Sequence, residues 1–139
     1  MEDNFLDLAQ LDAIPDEHLL DDNQEYSLNI LKARIGESKG EKTAGQPYLM
    51  VTLKAEGEPD SRPFNEVFML PTRGLDQDVF NRRGRDLREF LKAIEFDYSS
   101  GWNILEEPEA IEGLSFNAVV RVTDDETFGE QNSVKTIVS

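Results

Sequence analysis

The sequence predicts an all-β domain of five short strands, with one helix between the third and the fourth. Three observations carry that prediction. From residue 25 onward, runs with an apolar residue at every second position are separated by turns rich in Gly, Pro, Asp and Ser, the pattern of half-buried strands. Only the stretch 80–96 shows the i, i+3, i+4, i+7 spacing of a well-formed amphipathic helix. A chain of 139 residues is long enough for about one ordinary core, and it has no cysteine with which to staple a smaller one.

Residues 1–24 are expected to form an acidic, flexible N-terminal arm, followed by one domain over 25–139. In the arm, FLDLAQLDAIPDEHLL sets Phe5, Leu6, Leu8, Leu11 and Ile14 loosely at helical spacing before Pro15. About three turns with nothing to pack on are marginal alone, so a mobile or partner-docked segment is expected. In the first strand Tyr26, Leu28 and Ile30 alternate with polar neighbours, after which Leu31, Ala33 and Ile35 take over the apolar parity. One extra residue in a strand produces such a switch, which predicts a bulge or a sharp coil. GESKGEKTAG (36–45) is a flexible hairpin loop with Lys39 and Lys42 near its tip. The second strand, 47–55, puts Leu49, Val51, Leu53 and Ala55 on one face and Tyr48, Met50, Thr52 and Lys54 on the other. A turn at 56–61 leads to a third strand, 62–70, stopped by Pro71. In the helix, Leu87, Phe90, Leu91 and Ile94 form one buried stripe, and Gly84 weakens its beginning, so the ordered part is expected to start near Arg85. Trp102, in the loop that follows, is expected to plug one end of the domain. Two strands, 114–123 and 133–138, close the chain around a loop at 124–132.

Strand, strand, strand, helix, strand, strand is the order of the five-stranded oligonucleotide/oligosaccharide-binding (OB) barrel, whose first strand is long and strongly coiled. A ferredoxin-like fold needs two helices, and a sandwich needs about seven strands.

The runs EYSLNILKARIGESKG, PYLMVTLKAEGEP, FMLP, LREFLKAI, GLSFNAVVRV and NSVKTIVS, in that order over 25–139, resemble the phage-encoded single-stranded-DNA-binding proteins of the OB type. The resemblance implies an OB fold, sequence-tolerant binding of single strands during phage DNA replication or recombination, and no enzymatic activity. The chain departs from single-strand binders in one respect. Those proteins often end in an acidic tail that recruits replication partners, whereas this chain ends in VKTIVS and carries its acids at the front. The acidic arm is therefore the segment expected to meet phage replication or recombination proteins. Self-association is a further option.

Charge is partitioned along the chain. Residues 1–25 carry −9 with no Lys or Arg, residues 26–95 carry +1 and hold twelve of the fourteen basic residues, and residues 96–139 carry −7, for a net −15. The total argues against nucleic acid, because an anion forfeits the counterion-release contribution to binding. The near-neutral middle keeps an anionic ligand open there. The total also keeps two rival readings open: a protein-interaction role as a virion or replisome adaptor, and an acidic DNA mimic that inhibits a host enzyme.

The absence of cysteine excludes thiolate metal sites and Cys nucleophiles, and a single histidine, His18, excludes His-based triads and multi-His metal sites. Asp124, Asp125 and Glu126 read as a solvated turn, and GESKGEKTAG lacks the Walker spacing. No enzyme, cofactor or metal is expected. No apolar run approaches the ~18 residues of a membrane span, so the expected location is the cytoplasm, that of the host cell for a phage protein.

Single-strand binding without sequence preference needs aromatic faces for bases and cations for phosphates. On an OB barrel both belong on the exposed face of the second and third strands and in the flanking loops. The candidate set is Lys32, Arg34, Lys39, Lys42, Tyr48, Lys54, Arg62, Phe64, Arg73, Arg121 and Phe128. Burial competes for some of these: Phe64, with Phe68 and Phe116, sits at strand spacing typical of core aromatics. The lysines of the loop also fit ordinary solvated charges. Phe128, in a polar hairpin, has no evident core partner. Arg82, Arg83, Arg85 and Arg88 form a second basic patch at the front of the helix, where cations oppose the macrodipole. Pairing with Asp76, Asp78, Asp86 and Glu89 is the plainer reading of that patch.

Overall fold

The structure, a computed structural model, describes residues 8–138. It is mostly β, with five antiparallel strands in one open sheet and one α-helix. The strands are β1 (Gln24–Glu37), β2 (Pro47–Ala55), β3 (Phe64–Met69), β4 (Ser115–Asp125) and β5 (Gly129–Val138), in the spatial order β3-β2-β1-β4-β5, and α1 (Gln77–Ala93) joins β3 to β4. β1 serves both wings: Gln24 to Asn29 pair with β4, and Leu28 to Glu37 pair with β2. The phase switch expected near residue 31 appears as a register shift between Ile30 and Lys32, which leaves Leu31 as the extra residue, 43% exposed.

The inner face of the sheet carries Leu28, Ile30 and Ala33 of β1, the four alternate apolar residues of β2, and Phe116, Ala118 and Val120 of β4, all buried. α1 lays Phe90, Leu91 and Ile94 on that face. The Phe90 ring stacks on Phe68 at 4.5 Å and meets Phe116 edge-on at 5.3 Å, so one aromatic side chain ties the helix to both wings. Trp102 packs on Phe96 at 4.7 Å and donates its indole N–H to the Glu107 carbonyl.

Three boundaries differ from expectation. α1 begins at Gln77 instead of near Arg85, because the ~1 kcal/mol cost of Gly84 is small beside the packing of the stripe that follows it. β3 is shorter than 62–70, with Pro63 just before it. The loop expected at 124–132 is mostly strand: Asp125 pairs with Gly129, whose φ of 75° closes a three-residue turn, and the Asp125 Oδ1 accepts the N–H groups of Thr127 and Phe128.

The two edge strands, β3 and β5, approach one another without forming a ladder. Side chains and a leading segment fill their seam instead. The Val134 N–H donates to Glu66 Oε2 at 3.1 Å across it. Nearer the start of β3, His18 donates its N–H to the Asp60 carbonyl at 2.9 Å and accepts from the Arg62 N–H at 2.8 Å. The buried Asn132 of β5 accepts from the Leu20 N–H at 2.8 Å and donates to the Leu20 carbonyl at 3.1 Å, as a strand neighbour would. Leu20 itself is 2% exposed and belongs to the core. Of the stretch 1–24 expected as a flexible arm, residues 17–23 are thus built into the domain, because Leu20 offers a buried apolar side chain and Asn132 satisfies its backbone. Upstream, a 3-10 turn (Leu8–Ala13) leaves Leu8, Leu11 and Ile14 exposed. The expectation for Phe5 and Leu6 lies outside the described residues.

Candidate nucleic-acid interface

The outer face of β1, β2 and β3 is built by strict alternation. With Leu49, Val51, Leu53 and Ala55 buried, β2 turns Tyr48, Met50, Thr52 and Lys54 outward. Register then sets three cross-strand rows: Gly36–Tyr48–Met69, Arg34–Met50–Val67 and Lys32–Thr52–Asn65. The middle row joins an Arg34 Nη2 to the Met50 sulfur at 3.2 Å and leaves Val67 48% exposed. In the last row the Thr52 hydroxyl donates to Asn65 Oδ1 at 2.7 Å.

Tyr48 lies across Gly36. A Cβ on Gly36 would come within 2.5 Å of the ring Cζ, so only glycine allows the ring to lie this close to β1. One face of the ring is thus backed by the strand while the half-buried residue keeps access to solvent. Backed this way, the ring is restrained before any ligand arrives, which lowers the ordering cost of a stacked contact.

Lys32, Arg34 and Tyr48 are brought together on this face, and the exposed Lys39 and Lys42 sit in the loop that joins Gly36 to Tyr48. At the opposite end, residues 62–65 of β3 and its lead-in line a small cleft with Gln131 and Asn132 of β5. Arg121 and Phe128 belong to that β4–β5 wing. Arg121 donates its Nε–H to the Ser133 hydroxyl at 3.0 Å, and Phe128, at the hairpin tip, is 72% exposed. Arg73 is exposed in the loop before α1.

Three candidates are otherwise engaged. Phe64 is 8% exposed on the inner face opposite Leu53, so it offers no ring to a base. Lys54 directs its ammonium at the carbonyls of Glu58, Pro59 and Ser61, with the shortest contact 2.6 Å, and so caps the β2–β3 turn. Arg62 pairs with Glu17 at 3.4 Å, which among the described residues is the only ion pair.

The helix cations therefore lack the carboxylate partners expected for them. Arg82, Arg85 and Arg88 are exposed, and Arg83 is half-buried with a long hydrogen bond, 3.4 Å, to the Leu70 carbonyl. Glu66 is the one group near the interface with a resolved upward shift: burial pushes its carboxyl above the ordinary range, against the pull of the Val134 N–H and the Arg121 guanidinium. No cluster of metal-ligating side chains occurs among the described residues, and none of their helices is long and apolar enough to cross a membrane.

Asn65, Val67, Met69 and Gly36 were not singled out from sequence. The signal for the first three was available: with Phe64 and Phe68 inside, the odd positions of β3 must face out. Nothing local marks Gly36 as the seat of the Tyr48 ring. No protein-family model and no curated protein sequence matches the chain.

Proposed function

We propose that this is an OB-type domain that binds single-stranded DNA without sequence preference, in phage DNA replication or recombination, and that it is not an enzyme. The observation that carries the reading is the Tyr48 ring seated on Gly36 opposite Met69, with Arg34 and Met50 in the next row of the same face and Lys32 in the row beyond. A restrained ring with cations alongside is what stacking of bases and neutralisation of phosphates require. The strand order β3-β2-β1-β4-β5, with β3 and β5 approaching each other, supports the OB assignment. The resemblance of the strand phrases to phage single-strand binders supports the setting. The overall charge of −15 opposes association at long range, so binding is expected to be modest and to weaken as salt rises, with stacking carrying the part that survives.

The test is a titration of fluorescent oligo(dT) at two salt concentrations, with a duplex of equal length beside it. Binding of the single strand in preference to the duplex is expected. Folded protein that leaves oligo(dT) unshifted at low salt defeats the reading. The adaptor reading would then take its place, favoured by the exposed Leu8, Leu11 and Ile14 among the acids of the leading segment.

A further inference from the structure

Beside the Tyr48 face runs a groove of about 660 Å³. Residues 66–69 of β3 form one wall, residues 134–137 of β5 the other, and α1 covers one side with Arg82, Arg83, Asp86 and Glu89. Two residues connect the groove to the face. Met69 stands opposite Tyr48 in the strand register and also lines the groove, and Thr43, from the loop that carries Lys42, lines it as well.

The chemistry of the groove suits nucleotides more than a bare anion. Val67, Met69, Val134 and Ile137 supply apolar surface for a base. Arg82 and Lys135 bring cationic donors, while Asp86 and Glu89 bring acceptors, so both kinds of hydrogen-bonding group on a base edge can be met. Lys135 already donates to Asn23 Oδ1 at 2.9 Å, whereas the Arg82 guanidinium has no partner among the described residues. The formal charges balance: Arg82, Arg83 and Lys135 against Glu66, Asp86 and Glu89. Such a groove would hold free phosphate poorly, and it gains by lengthening a path that begins elsewhere.

We propose that the groove between α1 and the β3/β5 seam is a second station on the single-strand path, receiving the nucleotides that run past Tyr48 and Met69. This inference rests on the single-strand reading of the Tyr48 face. It requires affinity to rise with oligonucleotide length, with little added salt dependence, since a charge-balanced groove releases few counterions.

The experiment compares oligo(dT) of about six and about twelve nucleotides, both within the site sizes known for one OB domain. The proteins are the full chain, Arg82→Glu and, as a second groove variant, Lys135→Glu; both positions are exposed, so folding is retained and is checked by circular dichroism. Lys92→Glu, on the same helix but away from the groove, measures the general effect of reversing one charge. The longer oligonucleotide is expected to lose roughly five- to tenfold in affinity with the groove variants and the shorter one no more than with Lys92→Glu. Equal losses at both lengths, or losses no larger than those of Lys92→Glu, overturn the second station and leave the Tyr48 face standing. Failure of the unaltered chain to bind either length overturns the single-strand reading itself, and the second station with it.

Discussion

The four junctions in the sheet order are ladders, and the approach of β3 to β5 is not. A ladder is made by backbone groups that every residue but proline carries, so it tolerates most substitutions on its outer face. The seam is made by particular side chains: Leu20 and Asn132 at one end, Glu66 in the middle. Its integrity is therefore encoded at a few positions, and one of them lies in the acidic leading segment, outside the pattern of alternating strands.

The largest effect should come from breaking the seam at its apolar contact. Leu20→Ala removes a fully buried side chain and is expected to cost about 2–5 kcal/mol; deleting residues 1–22 removes that side chain together with the Asn132 partners and should cost at least as much, both read from urea unfolding. Equal stability after the deletion would show that the seam contributes nothing and that the ladders suffice.

Asn132→Ala should follow, at about 1–3 kcal/mol, because the Leu20 N–H and carbonyl are left buried and unsatisfied. Asn117→Ala, on an exposed position of the β4 ladder, serves as its counterpart and should stay within about 0.5 kcal/mol of the unaltered chain. If the two substitutions cost the same, the distinction between ladder and seam collapses.

Tyr48→Ala moves the comparison from stability to binding. It should weaken oligo(dT) affinity by the ~1–3 kcal/mol of one stacked base while the thermal midpoint changes little. Gly36→Ala should reproduce part of that loss with the tyrosine still present, since the added methyl forces the ring away from β1.

The smallest effect is expected at Glu66. Burial raises its carboxyl in the folded state, so the ionised form is disfavoured by folding, and its contribution to stability falls as the pH rises through the raised value. Glu66→Gln keeps an acceptor for the Val134 N–H and removes the charge; it should raise the thermal midpoint at neutral pH, by an amount that shrinks as the pH is lowered toward the carboxylate range. A midpoint below that of the unaltered chain at neutral pH would mean that the charge itself strengthens the seam.

Local pattern made much of this fold legible. The parity of β2, the bulge in β1 and the helical stripe from Leu87 to Ile94 each follow from spacing over a few residues. What escaped depends on distance along the chain or on side chains that local pattern leaves ambiguous. Leu20 meets Asn132 across a separation of 112 residues, and no short-range signal announces such a pair. Lys54 looked like a surface cation of the binding strand because its parity points outward, but the turn that follows folds three carbonyls back over it. Phe64 illustrates the reverse: its type suits a stacking platform, and its register opposite Leu53 commits it to the interior.

The extra residue at Leu31 has a consequence that resembles a reading frame. Upstream of it even-numbered residues of β1 point inward, as Leu28 and Ile30 do; downstream the odd-numbered Ala33 takes that place and the even-numbered Lys32 and Arg34 are exposed. Excising Leu31 would leave Lys32 opposite Thr52 and Ala33 opposite Val51 in unbroken alternation and remove only the bulge, whereas one residue inserted after Lys32 would swing Arg34 toward the core and carry Ala33 and Ile35 out to water. The stretch between the bulge and Gly36 is thus intolerant of single-residue insertions even where it tolerates substitutions, while the loss of one residue can be taken up by the bulge itself. Length variation in this domain should be accommodated instead in the loop at 38–46, where an added residue leaves the phase of both strands intact.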